Sequence, residues 1–158
     1  MSMVKTLWDK THGLPLGKRV FSTLVSQKAP YFASIHPRFV ELRPHYAELV
    51  IPDRRSVRNH IGTVHAIALC NGAEAAMGML AEVTIPSDLR WIPKGMQVGY
   101  TAKAGGDITC IAETDPSDWK PGDVPVRVRA VRGDGTVVLE GVITIYVSAK
   151  PAKEKVGS

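Results

Sequence analysis

Across residues 66–81, the run Ala66-Ile67-Ala68-Leu69-Cys70-Asn71-Gly72-Ala73-Glu74-Ala75-Ala76-Met77-Gly78-Met79-Leu80-Ala81 holds one ionisable carboxyl or amine, Glu74. Glutamate is rarely buried without a partner, because desolvation penalises its charged form. Two readings are open. This turn of chain reaches solvent or pairs with an arginine, or Glu74 stands in a dry cleft where desolvation fits it to act as general base or nucleophile. Just upstream, Asn59-His60-Ile61-Gly62-Thr63-Val64-His65 leads a glycine-containing loop onto the start of the same segment. Free N–H groups at a helix start, with the helix dipole behind them, suit an oxyanion or a developing negative charge. Ordinary turn-and-cap chemistry, with Thr63 as N-cap, would use the same residues.

The segment carrying Glu74 is rich in helix formers and apolar on every face, which predicts a helix buried all round. Its small residues Ala68, Gly72, Ala75, Ala76 and Gly78 allow neighbouring backbone to come close, and Pro86 stops it. Upstream, Leu16, Val20, Phe21, Leu24 and Val25, then Tyr31 and Phe32, fall at helical spacing over residues 15–35, with Pro30 ending or kinking the helix. Strands are predicted around Phe39 to Leu42 and Tyr46 to Ile51, with Pro44 between them. After the apolar helix, residues 97–103 and 107–114 flank Gly105-Gly106, a hairpin signal. Two further strands, over 124–131 and 137–148, are joined by the turn Gly133-Asp134-Gly135. The fold class is therefore α+β: an antiparallel sheet curled around a long central helix, with an extra N-terminal helix. We expect one domain over residues 1–149, made of an N-terminal helical segment (1–36) and the sheet with its central helix (37–149). Residues 150–158 are expected to form a disordered tail.

Composition narrows the function classes. The chain has 158 residues, 44% hydrophobic and 22% charged, which excludes a collagen, a coiled coil and a disordered chain. A net charge of +5 suits anionic partners, but with scattered charge and only 6% aromatic residues a nucleic-acid surface is not expected. Cys70 and Cys110 lie in apolar segments without metal-ligand spacing, and read as buried free thiols of a reducing compartment. The histidines show no metal-ligand spacing either. No signal peptide and no membrane span is expected, which makes the cytoplasm the expected location.

Taken together, the spacing Asn59-x-x-Gly62-x-x-His65 and an acid nine residues on in an alanine-rich helix resemble the hotdog-fold thioesterases, particularly the phenylacetate-thioesterase-like branch. The stretch Ala73-Glu74-Ala75-Ala76-Met77-Gly78 also resembles a branch of uncharacterised hotdog proteins. The resemblance covers roughly residues 16–148 and implies an acyl-CoA thioesterase. It implies that Glu74 activates water or attacks the thioester, that Asn59 orients the carbonyl or the water, that the Ala66 amide polarises the carbonyl, and that His65 shapes the turn. Gly62, Thr63, Val64, Trp91 and Ile92 would line the substrate, the last two as an apolar wall for the acyl group. Arg54, Arg55, Arg58, Lys94 and Lys103, with Arg127 and Arg129, are candidate partners for coenzyme A phosphates. No cofactor is implied beyond coenzyme A as part of the substrate. The implied assembly is a homodimer or a dimer of dimers, with Glu74 of one subunit facing Asn59 and Ala66 of another. Ala66-Ile67 stand where the family commonly has two glycines, and Ile92 stands where some relatives have a hydroxyl residue. A non-catalytic acyl or acyl-CoA binding protein is therefore the alternative.

Overall fold

A computed structural model describes residues 2–151; the tail expected from residue 150 lies, past Pro151, outside the described residues. Helices α1 (Met3–Thr11), α2 (Gly17–Lys28) and α3 (Pro30–Ala33) precede strands β1 (Arg38–Arg43) and β2 (Tyr46–Ile51). The long helix α4 (Ala66–Thr84) follows, then β3 (Leu89–Tyr100), β4 (Ile108–Glu113), β5 (Gly122–Arg132) and β6 (Val137–Ala149). All six strands form one antiparallel sheet in the order β1-β2-β4-β5-β6-β3.

The sheet wraps α4 because its strands alternate. In β4 and β5 every second residue is buried, among them Ile108, Cys110 and Ala112, then Val124, Val126, Val128 and Ala130. Leu49, Ile51, Leu139, Ile143 and Ile145 extend this face, and Met77 and Leu80 of α4 meet it fully buried. Each such Val, Leu, Ile or Met side chain contributes about 1.5–3 kcal/mol relative to exposure, so the helix is held chiefly by its enclosure. α4 is long and apolar enough to cross a membrane by length and composition, but 67% of that stretch is buried inside the domain.

Burial is not complete, contrary to the all-round pattern. One stripe of α4 stays open: Ile67 is 55% exposed, while Cys70 and Glu74 are half-buried. Cys70 is thus not the fully buried thiol expected; Cys110 is. The small residues differ in what they allow. A β-carbon on Gly72 would lie 2.6 Å from both Cys110 Sγ and Ile51 Cδ1, whereas one on Gly78 would make an ordinary 3.5 Å contact with Trp91.

Two strand expectations need correction. β3 starts at Leu89, eight residues before the predicted boundary. It also does not form a hairpin with β4 across Gly105-Gly106, but pairs with β6 from Leu89↔Ala149 to Tyr100↔Leu139 at the far edge of the sheet. The two glycines belong instead to a crossover, pinned to the loop before α4 by Val64 N–H donating to the Ala104 carbonyl at 2.8 Å. Pro93, at a register shift between Pro93 and Gly95, is tolerated because β3 is an edge strand.

The N-terminal helices cover the opposite end of the sheet. α2 packs on β1, and Phe21 meets Phe39 edge-on with ring centroids 5.4 Å apart. Helix α1 lies inside the expected helical segment (1–36) but ahead of the helix read over residues 15–35. It buries Trp8 edge-on against Phe21 at 5.0 Å, and that single aromatic in a polar stretch was its only sequence signal.

The two glycines give a direct test of this packing. Gly78→Ala should stabilise the protein by up to about 1 kcal/mol through helix propensity. Gly72→Ala should fall below it by about 1–3 kcal/mol, because neither buried neighbour can retreat. Urea unfolding of both variants measures the difference, and equal midpoints would contradict the packing.

Acid should also destabilise the fold in two steps. Burial lowers the His45 pKa, only partly offset by Asp115, so the fold favours neutral His45. The Arg58 hydrogen bond lowers Asp53, and the Ser117 amide and hydroxyl lower Asp115. A lowered folded pKa adds stability that is complete above the unfolded pKa and is lost as pH falls. The melting temperature should therefore begin to fall below about pH 6.5 and fall further below about pH 4. His45→Asn should remove the first step, since Asn tolerates the φ of 68° found there. An unchanged first step in that variant would contradict the assignment.

Candidate active site

The loop before α4 is built by Asn59. Its Oδ1 accepts from the backbone N–H groups of Ile61 and Thr63, each at 3.1 Å, and its Nδ2 donates to Thr63 Oγ1 at 2.9 Å. Asn59 N–H donates to the Thr63 carbonyl at 2.8 Å, and Gly62, at φ 80°, turns the chain between them. Only glycine takes that conformation without strain. The side-chain acceptor of Asn59 is thus occupied by its own loop, and one Nδ2 hydrogen remains to donate outward.

The N-cap of α4 is His65, not Thr63 as the sequence suggested. His65 Nδ1 accepts from Ile67 N–H at 3.0 Å, while Thr63 Oγ1 serves Asn59 instead. An accepting Nδ1 places the neutral ring's proton on Nε2. Capping takes up the Ile67 amide, whereas the Ala66 amide meets no acceptor among the described residues. Ala66 lines a depression of about 390 Å³ together with Asn59, Thr63, Val64, Tyr100 and Lys103. This depression brings together five of the expected residues: Asn59, Thr63, Val64, Ala66 and Lys103. Gly62, His65, Glu74, Trp91 and Ile92 do not line it.

Glu74 lies instead two turns along α4, on the open stripe. Cys70, one turn earlier on that stripe, sits with Sγ 3.3 Å from the Tyr100 hydroxyl at the end of β3. That contact raises the Tyr100 pKa. At the other end of the stripe, Trp91 Nε1–H donates to Glu82 Oε1 at 3.0 Å and the ring covers Gly78. Glu74 stands between these two anchors, half-buried, with no hydrogen bond or ion pair to a described residue. Eight residues of helix separate it from Ala66, about 12 Å along the axis. Ile92 faces away from the core and is 59% exposed. Tyr100 and Leu69 were missed as lining residues; Tyr100 closes the β3 run, and only the strand pairing brings it beside α4.

The basic candidates separate clearly. Arg58 is paired bidentately with Asp53 at 2.7 and 2.9 Å, Lys94 with Asp123 at 2.7 Å, and Arg129 with Glu113 at 2.9 Å. Lys103 lines the helix-start depression, and its carbonyl accepts from Arg132. Arg54, Arg55 and Arg127 are exposed and make no ion pair with a described residue.

The two thiols should react very differently. Burial, helped by Cys70, pushes the Cys110 pKa up to about 12. With Cys70→Ser, a thiol reagent at about pH 8 should therefore leave the folded protein unlabelled and modify Cys110 only after unfolding in guanidinium. Labelling of the folded variant, read by intact mass, would contradict the enclosure of Cys110.

Comparison with known proteins agrees with this architecture. No curated protein matches the chain. A crystal structure designated genomics APC5556 is 48% identical, with a TM-score of 0.82 over 94% of this chain and 99% of that one. PA5026 of Pseudomonas aeruginosa, described as a protein of unknown function and probable thioesterase, is 24% identical, with a TM-score of 0.74 over 87% of this chain and 97% of that one. The thioesterase HI1161 of Haemophilus influenzae is 10% identical, also with a TM-score of 0.74, over 87% and 94%. The last two show the fold alone. The family described as a domain of unknown function, DUF4442, matches residues 17–147. A helix wrapped by one antiparallel sheet, in the form shared with these thioesterases, is the hotdog fold, and the chain belongs to the DUF4442 family.

Proposed function

We propose that this protein hydrolyses acyl-CoA thioesters, as at least a dimer, at a site combining Glu74 of one copy with the loop and helix start of another. The observation that carries this reading is the position of Glu74. It is the one carboxylate on the central stretch of a largely buried helix, it lies on the open stripe, and no described residue pairs with it. A glutamate side chain cannot cross about 12 Å to a carbonyl held at its own chain's Ala66 amide. The acid and the helix start therefore cooperate only across two copies. The free edge of β3 supports such pairing, because an uncovered edge strand is a template for another chain. The thioesterase names of the structural neighbours point to the same reaction class.

In this reading the thioester carbonyl oxygen accepts from the Ala66 N–H, where the dipole of α4 favours the charge developing on it. The remaining Nδ2 hydrogen of Asn59 orients the carbonyl. Glu74 takes a proton from water as the water oxygen bonds to the carbonyl carbon, or its carboxylate attacks that carbon directly. Collapse of the tetrahedral intermediate breaks the carbon–sulfur bond, and the leaving coenzyme A thiolate takes up a proton. In the nucleophilic branch this leaves an acyl–Glu74 anhydride, which a water molecule then cleaves to the free acid and the regenerated carboxylate. Trp91 and Ile92 supply apolar surface for the acyl group, and His65 holds the loop in register. Two unbonded thiols suit a reducing, cytoplasmic setting.

One feature favours a second reading, non-catalytic acyl-CoA binding. Ile67 stands exposed at the helix start and its amide is already occupied by His65, which takes one donor away from the carbonyl. Assays of wild type and Glu74→Ala across acyl-CoA chain lengths separate the two readings. The hydrolase reading expects kcat to fall about 100-fold or more in a variant with unchanged melting temperature. Equal rates would remove Glu74 from the chemistry, and tight binding without turnover would establish the second reading.

A further inference from the structure

A recess of about 550 Å³ lies away from the helix start, between α2, the turn from α3 into β1 and the loop after β2. Arg19, Arg38 and Arg54 surround it with His36, Thr23 and Ser26, and no carboxylate lines it. None of the three guanidiniums forms an ion pair with a described residue. Elsewhere Arg43, Arg58, Arg129 and Arg132 do, while Arg55, Arg90 and Arg127 form none with a described residue but are not gathered around a shared recess. Like charges gathered around one recess repel each other, and an anion bound among them relieves that repulsion. Guanidinium forks and hydroxyls are also the donors that match phosphate oxygens.

The recess has a fixed frame. The Ser22 hydroxyl in its wall donates to the Lys18 carbonyl at 2.8 Å and accepts from Phe39 N–H at 2.9 Å, tying α2 to β1. His36 takes φ 50°, a left-handed conformation that costs a side-chain-bearing residue, so the surrounding fold imposes this turn. A smaller recess of about 210 Å³ lies alongside, lined by Ser34, Ser56, His65, Ile67 and Asn71. Only Ile35 separates Ser34 from His36 and only Arg55 separates Arg54 from Ser56, so the same two segments line both recesses. No Phe, Tyr or Trp ring lines the basic recess, and it therefore lacks the large stacking platform of a single-strand nucleic-acid channel.

We propose that this recess is a phosphate-binding subsite that takes the phosphorylated nucleotide end of the substrate's carrier, with Arg19, Arg38 and Arg54 as its charged donors. The identity of the ligand rests on the thioester-hydrolase reading above, whereas the charge of the recess does not. The subsite selects Arg54 from the basic residues singled out by sequence. It sets aside Arg58 and Lys94, whose charges are already met by Asp53 and Asp123.

The test is calorimetric titration at low salt with the adenosine bisphosphate fragment of coenzyme A, which carries no thioester, and in parallel with inorganic phosphate. Arg19→Ala, Arg38→Ala and Arg54→Ala should each weaken fragment binding about tenfold or more, and Lys120→Ala, an equal loss of charge elsewhere, should change it less than about twofold. No fragment binding, or an equal loss in Lys120→Ala, would overturn the subsite. Inorganic phosphate binding as tightly as the fragment would overturn its nucleotide ligand. Fragment binding without acyl-CoA hydrolysis would leave the subsite standing and remove the hydrolase. Hydrolysis with an unchanged KM in Arg38→Ala and Arg54→Ala would keep the hydrolase and remove the subsite.

Discussion

An apolar helix of nineteen residues has no stable place in water, and its enclosure by one curled antiparallel sheet is the constraint on which this molecule depends. The β2, β4 and β5 faces bury most of α4, and Gly72 lets it settle against Ile51 and Cys110 at a distance no side chain would permit. A sheet of six strands cannot close around the helix, however. One stripe, Ile67, Cys70 and Glu74, stays only partly covered, and the strand nearest its two ends, β3, is a free edge. The surface that the domain leaves open is therefore the surface that carries Glu74.

The start of the same helix is shaped by a different economy. Buried and half-buried backbone groups must find partners, and in the loop before α4 Asn59 and His65 provide them from their side chains. Their work as scaffolding narrows what they can offer a substrate: one amide hydrogen from Asn59, and none of the Ile67 amide. The Ala66 amide, with no acceptor among the described residues, remains a donor at the head of the dipole. Its distance from Glu74 follows from helix geometry alone, so the two cannot serve one carbonyl within a single chain.

Much of this was legible in the residues. The apolar run with its single acid, the period-two strands after it and the glycine loop before it specified the central helix, the sheet and the turn into the helix, because each depends on local pattern. What was not legible depended on long-range pairing. Gly105-Gly106 read as a hairpin since turn chemistry is local, yet β3 found its partner in β6, nearly forty residues on, and the glycines became part of a crossover. Tyr100 reached Cys70 through that same pairing. Arg19, Arg38 and Arg54 are far apart in sequence, and only the packing of α2 on β1 gathers them around one recess. The N-cap passed from Thr63 to His65 because Thr63 is engaged by Asn59, a competition that a propensity scale does not contain.

The central claim is that the acid and the helix start act across two copies, and complementation measures this most directly. Glu74→Ala and Asn59→Ala protomers, each inactive alone, are unfolded, mixed in equal amounts and refolded together. Random pairing of dimers with two shared sites should restore about one quarter of the wild-type rate, because each mixed dimer regains one intact site. A mixture as inactive as its two components would contradict a site shared between subunits.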